Sequence, residues 1–207
     1  MTSAPQQHQV CPPHELAARL LAGEAGLMPT DTLPALAALP RHAAQIWELK
    51  RRPQEKPLIL MGAGLEQLQP LLGLAWKSEW LALAGRGWPG ALTLVLPAQG
   101  PLAEALNPGR GSLGLRIPAC AAARELLQLT GPLATTSANP SGEPAATTAA
   151  EAAAFFPQLA LLGPLPWPPA SGQASTVLAW ESAGGWQLLR SGAVPFPLPA
   201  SSSLPSA

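Results

Sequence analysis

Residues 120–142 read CAAARELLQLTGPLATTSANPSG, and the way they divide sets the fold class. Residues 120–131 predict a helix closed by Gly131, residues 132–137 predict a short strand, and that strand runs directly into the polar loop TSANPSG. A second helix follows at 147–156, opened by a capping box in which Thr148 stands three residues before Glu151. Helix, strand, polar loop and helix in succession belong to a layered α/β domain.

The same alternation extends in both directions. Towards the N-terminus, LGLRIP (113–118) and ALTLVLP (91–97) predict strands, WPG (88–90) a turn, and WKSEWLALAG (76–85) and LEQLQPLL (65–72) helices. PLILM (57–61) predicts a buried strand and RHAAQIWELK (41–50) a helix stopped by Pro53. GLMP (26–29) predicts a strand leading into PTDT, and PPHELAARLLAGE (12–24) a helix with Leu16, Leu20 and Leu21 on one side. Towards the C-terminus, STVLAW (175–180) and GWQLLR (185–190) predict a hairpin. The expected fold is α/β with a mixed parallel and antiparallel open sheet and helices on its faces. One domain is expected over residues 13–194, with disordered ends at 1–12 and 195–207.

Composition narrows the function classes. The chain has 207 residues, 47% of them hydrophobic, yet its apolar runs are broken by Pro or Gly well short of the roughly 20 residues a membrane helix needs. MTSAPQQHQV is polar and carries no secretory pattern, so a cytoplasmic protein without a membrane partner is expected. Cys11 and Cys120 are isolated from each other and from the three His, which argues against a disulfide framework or a zinc site. Twelve basic residues balance twelve acidic ones, so no net field recruits a polyanion. Tyr is absent and Phe occurs three times, a poor inventory for an RNA-stacking surface, and the seven Trp fall mainly in helices and turns, where packing is their expected role.

Against that background the polar residues are concentrated. Charged residues make up 12% of the chain, about half the usual share of roughly 25%. Four of the twelve basic ones nevertheless fall in KRRPQEK (50–56). Such a cluster either completes a helix C-terminus or holds an anion. TSANPSG offers the hydroxyls of Thr136, Ser137 and Ser141 and the amide of Asn139, enough for an anion-binding concavity or for an ordinary Asx turn. PTDT carries Asp31, the only Asp in the chain, which could cap a turn, hold an ammonium or position magnesium. Arg116 sits in an aliphatic strand, where a guanidinium must snorkel or find an anion, and Arg190 repeats the arrangement. In open sheets ligands bind at strand ends, and PTDT and TSANPSG both fall there. A nucleotide or phosphate site accounts for these segments together.

Taken in order, PTDT, KRRPQEKPL, WPGALTLVLP, LGLRIP, TSANPSG and STV followed by LRSGA resemble the YrdC family of threonylcarbamoyl-AMP synthases, over residues 13–194. The resemblance implies a twisted sheet around a concave basic cavity. It further implies a transferase of the nucleotidyltransferase class that makes L-threonylcarbamoyladenylate from L-threonine, bicarbonate and ATP with Mg2+, releasing pyrophosphate. The product would serve N6-threonylcarbamoyladenosine modification of tRNA, with tRNA-modification proteins and tRNA as partners. Carried onto this chain, the family pattern implies Lys56 and Arg116 as catalytic groups and Thr30, Asp31 and Arg116 at the threonine. Lys50, Arg52, Lys56, Ser137, Asn139, Ser141, Ser175 and Arg190 would bind the nucleotide, with no metal held by protein side chains. One segment departs from the pattern: Leu33, Pro34, Ala35 and Leu36 stand where the family usually has an aromatic residue and a Gly. The alternative expectation is a diverged paralogue that binds nucleotide or RNA without synthase activity.

Overall fold

A computed structural model describes residues 9–195 of the chain. Its strands are β1 (Val10–Cys11), β2 (Gly26–Met28), β3 (Ala35–Ala38), β4 (Ile59–Met61), β5 (Leu92–Pro97), β6 (Ser112–Arg116), β7 (Leu133–Ser137), β8 (Ala160–Leu162), β9 (Thr176–Trp180) and β10 (Trp186–Arg190). The helices are α1 (Pro13–Leu21), α2 (Ala44–Lys50), α3 (Leu65–Leu68), α4 (Ser78–Gly87), α5 (Pro101–Leu106), α6 (Ala121–Thr130) and α7 (Ala149–Phe155). Among the described residues the strands form one open sheet in the order β1-β8-β2-β3-β7-β4-β6-β5-β9-β10. The sheet is mixed as expected: β4 runs parallel to β6 and β5 to β9, whereas β3 and β4 both pair antiparallel with β7.

Side-chain alternation along each strand sends neighbours to opposite faces. In β3, Ala35 and Ala37 join Met28 and Met61 under Leu16 and Leu20 of α1 and Leu126 and Leu127 of α6. Leu36 and Ala38 join the other layer, with Ile46 and Trp47 of α2 and Trp80 and Leu83 of α4. Edge-on ring contacts join Trp76 to Trp80 at 6.3 Å and Trp80 to Trp180 at 6.0 Å, so these indoles serve packing. Among the described residues no helix is long and apolar enough to cross a membrane, and Cys11 and Cys120 are free thiols.

Several expectations are corrected. The expected disordered segment 1–12 is folded at its end, because Val10 and Cys11 pair in parallel with Leu161 and Leu162. The rest of that segment, residues 1–8, and residues 196–207 of the expected tail lie outside the described residues. Strands β3 and β8 and helix α5 escape the sequence pattern. Both strands are buried on both faces and so show no alternation. The helix expected at 65–72 changes to a 3-10 turn over Gln69–Leu72 at Pro70, which has no N–H to continue the ladder. The hairpin and the Thr148 cap are as expected: Thr148 Oγ1 accepts the Glu151 N–H at 3.1 Å.

Candidate functional site

The face that α1 and α6 cover at one end is uncovered over the middle strands, and a cavity of about 420 Å3 opens there. That volume lies within the range of small-molecule sites. Its floor is made of alternate residues brought level by strand register: Ala35 opposite Ser137, Thr135 opposite Ile59, Ile59 opposite Gly114, and Gly114 opposite Val95. Gly114 keeps the floor flat, since a Cβ there would stand 2.9 Å from Ile59 Cγ2.

Arg116 lies at the C-terminal end of β6, 2% exposed, with each of its three nitrogens engaged and two terminal N–H groups left to donate. Nε donates to Gly90 O at 3.0 Å, one terminal nitrogen to Thr32 Oγ1 at 2.7 Å and the other to Asp31 Oδ1 at 2.9 Å. Burial pushes the guanidinium below its ordinary value, and Asp31 opposes that shift. Thr30 Oγ1 accepts the N–H groups of Thr32 and Leu33 and donates to Leu33 O at 2.6 Å. PTDT is thus a turn built by Thr30 that delivers Asp31 and Thr32 to Arg116.

The basic segment is turned by Arg51, which adopts φ 50 at the C-terminus of α2 and is the only non-Gly residue with positive φ among the described residues. On either side of it, Lys50 and Arg52 take different roles. The Lys50 ammonium is 1% exposed and donates to the carbonyls of Ser137 and Asn139. Burial, with Arg52 adding, pushes it down to about 8. Arg52 reaches the cavity wall, donating to Pro57 O at 2.9 Å and to Thr136 Oγ1 at 3.4 Å, while its Nε is buried with no partner. The TSANPSG loop closes on itself: Asn139 Oδ1 accepts the Ser137 hydroxyl at 2.6 Å, and its amide donates to Glu143 O at 2.7 Å. The far wall comes from the C-terminal strands. Ser175 Oγ shares a hydrogen bond with Thr93 Oγ1 at 2.8 Å, and Arg190 donates to Ser175 O at 2.8 and 3.1 Å.

Of the residues expected at the site, Arg52, Arg116, Ser137, Ser175 and Arg190 line one cavity. Asp31, Lys50 and Asn139 stand behind the lining, the first orienting Arg116 and the other two bracing the loop. Thr30 is a turn-former, its hydroxyl already occupied. The Ser141 N–H is taken by Lys50 O at 2.9 Å, and Ser141 is not among the lining residues. Lys56 is exposed and is not among the lining residues, and its carbonyl accepts the Trp47 Nε1–H at 3.0 Å. The sequence reading missed Thr93 and Asn107, which also line the cavity. Thr93 carries the signal that marked Arg116, a polar residue inside an aliphatic strand.

Residues 18–192 match the Sua5, YciO and YrdC family model, described as Telomere recombination. The chain belongs to this family. A Stutzerimonas stutzeri protein named threonylcarbamoyl-AMP synthase is 40% identical over 110 residues, covering 53% of this chain and 59% of that protein. A Halorhodospira halophila protein of the same name is 34% identical, covering 70% and 82%. Among solved structures, Pyrococcus abyssi Sua5 complexed with L-threonine is 33% identical with a TM-score of 0.81, covering 88% of this chain. The chain spans 59% of the length of the Stutzerimonas relative and 54% of the Sua5 chain. At Leu33–Leu36, Ala35 is in the extended strand β3, where no positive φ is required, and Pro34 O accepts the Ala138 N–H at 2.9 Å.

Proposed function

We propose that this member of the Sua5, YciO and YrdC family is an L-threonylcarbamoyladenylate synthase. The observation that carries the reading is the convergence of Arg52, Arg116 and Arg190 on one cavity whose lining is otherwise made of hydroxyl-bearing residues, Asn107 and apolar residues, without a carboxylate. Three guanidiniums facing such a space suit a ligand with several anionic groups, and their charge is worth more there than in water. Support also comes from the relatives named threonylcarbamoyl-AMP synthase and from the L-threonine complex of the Sua5 neighbour.

In this mechanism the amine of L-threonine adds to the carbon of bicarbonate, losing water, to give a carbamate. A carbamate oxygen then attacks the α-phosphorus of ATP, and the bond to the β-phosphate oxygen breaks to release pyrophosphate. Arg116, held rigid by Asp31 and Thr32, orients the carboxylate of threonine. Arg52 and Arg190, which line the cavity, take phosphate oxygens. Magnesium arrives with ATP as part of the substrate. Because no covalent enzyme intermediate forms, the rate rests on positioning and on charge stabilisation in a water-poor cavity. The adenylate would pass to the tRNA-modification proteins of the cytoplasm.

A second reading has its own observation, since Leu33, Pro34 and Ala35 themselves line the cavity. A side wall altered at the amino-acid end would leave nucleotide binding intact and change the acyl substrate. The deciding measurement is pyrophosphate release from MgATP and bicarbonate, with and without L-threonine, in the wild type and in a Pro34→Tyr, Ala35→Gly variant. Threonine-dependent release by the wild type is the expected outcome. No release from the wild type, with release from the variant, would overturn it in favour of the second reading.

A further inference from the structure

We propose that the N–H groups of Ser171 and Gly172, carried on a strap that crosses the cavity, are positioning groups for the amino-acid substrate; this rests on the synthase reading and its assignment of Arg116 to the threonine carboxylate. The strap is the connection between β8 and β9. These strands stand second and ninth in the sheet, seven strand spacings apart, which is about 34 Å along the sheet. Residues 163–175 join them, and those thirteen residues reach about 45 Å when fully extended. The path is therefore close to straight. Pro164, Pro166, Pro168 and Pro169 each fix their own φ and stiffen the run. It passes on the cavity side, because it meets Thr32 on its way and ends in Ala174 and Ser175, all three of which line the cavity.

Both ends of the strap are tied down. At the first, the Gly163 N–H donates to Cys11 O at 2.7 Å and Trp167 Nε1 to Leu162 O at 2.6 Å. At the other, the Thr176 N–H donates to Ala91 O at 3.0 Å, the Ala193 N–H to Ala174 O at 2.8 Å, and the Ser175 hydroxyl shares its bond with Thr93. Between those ties the strap comes down on the PTDT turn: the Ser171 N–H donates to Asp31 O and the Gly172 N–H to Thr32 O, each at 3.1 Å. Gly172 holds this shape at φ 70, and Ser171 Oγ closes the bend by accepting the Gln173 N–H at 3.3 Å. The turn is thus gripped from two sides. The side chains of Asp31 and Thr32 each accept from a terminal nitrogen of Arg116, and their carbonyls are held by the strap. A guanidinium that meets a carboxylate with both prongs needs fixed partners behind it. The phosphate side of the cavity has separate supports, since Arg52 is held by Thr136 and Pro57, and Arg190 by Ser175. Loosening the strap at residues 171–172 therefore acts on the amino-acid end alone.

The test is titration calorimetry of the full chain with L-threonine and, separately, with MgATP. Gly172→Pro removes the donor to Thr32 O and forbids the positive φ. It is expected to weaken L-threonine binding by about 10-fold or more, the size that displacing a fixed binding group carries, while MgATP binds within about two-fold of the wild type. Gly23→Pro is the control. Gly23 has φ 102, its N–H donates to Leu20 O at 3.0 Å, and it is not among the cavity-lining residues. The same loss of a donor and of a positive φ there should lower the melting temperature and leave both affinities in place. If Gly172→Pro does not fold, Gly172→Ala takes its place: a Cβ there meets nothing within 4 Å, so backbone strain alone loosens the contact, and the same selectivity is expected at smaller size. Unchanged L-threonine affinity, or equal weakening of both ligands, would overturn the positioning role and leave the synthase reading standing. Failure of the wild type to bind L-threonine would overturn the threonine assignment and this inference with it.

Discussion

Asp31 Oδ1 lies 2.9 Å from Arg116 and accepts the Ala119 N–H at the same distance, so one carboxylate oxygen fixes both the guanidinium and the chain that leaves β6. Arg116 is buried and Asp31 partly so, with side chains 3% and 19% exposed. Removing one partner from such a pair strands the other charge. Asp31→Ala is expected to cost roughly 3–5 kcal/mol in urea unfolding. Adding Arg116→Met should recover much of that loss, because the uncompensated charge goes with it, while pyrophosphate release stays absent. A double variant no more stable than the single one would contradict this account of the pair.

Lys50 supplies a pH dependence. Its ammonium is pushed down from the ordinary 10.5 to about 8 by burial and by Arg52. The folded value lies below the unfolded one, so between pH 8 and 10.5 the unfolded chain holds the extra proton. Stability from this group therefore rises as pH climbs through that window and is lost as pH falls from 10.5 to 8, on the order of 3 kcal/mol over the whole span. Urea midpoints at pH 8 and pH 10 should diverge between wild type and Lys50→Met, with the wild type gaining. Parallel curves would remove Lys50 as the cause.

Thr93 and Ser175 join β5 to β9 through their hydroxyls. Thr93→Val preserves the shape and deletes the bond, leaving Ser175 Oγ with Arg190 at 3.2 Å. A loss of about 1 kcal/mol in stability is expected. The KM for ATP should rise with it, because Ser175 and Arg190 form one wall of the cavity. An unaltered KM would mean that this wall does not meet the nucleotide.

Gly192 stands where the chain leaving β10 crosses residues 174–176. A Cβ there would lie 2.3 Å from Ala174 O and 2.4 Å from the Ser175 carbonyl carbon. Gly192→Ala is expected to cost about 1–3 kcal/mol by forcing backbone apart, and to weaken nucleotide binding through Ser175. Gly85 in α4 is the control, since a Cβ there meets nothing within 4 Å. Gly85→Ala should be neutral or stabilising by about 0.5–1 kcal/mol. Equal effects of the two substitutions in thermal melts would contradict the crossing as the cause.

The parts of the fold legible in the sequence were those with a one-sided pattern or a punctuation mark. The leucines of α1, the Thr148 cap and the hairpin around residues 181–185 declared themselves in this way. β3 did not, because ALAA is buried on both faces and alternation carries no signal there. At the site, residue type was legible and direction was not. Lys50, Arg52 and Lys56 look alike in sequence, yet Lys50 reaches the loop, Arg52 the cavity and Lys56 solvent, with the left-handed turn at Arg51 between the first two.

The strand order has a consequence for how the chain acquires its site. Val10 pairs with Leu161 and Leu92 with Thr176, so neighbours in the sheet are far apart along the polypeptide. Closing such long loops precedes the contacts that reward it, which slows folding relative to a protein built from local contacts. The cavity takes Thr32 from near the beginning and Arg190 from near the end of the described chain. During synthesis its first wall leaves the ribosome long before the last, and the interval exposes the aliphatic edges of β5 and β6. Ligand cannot stabilise the nascent chain until β9 and β10 have emerged, so protection by substrate is available only to the completed sheet.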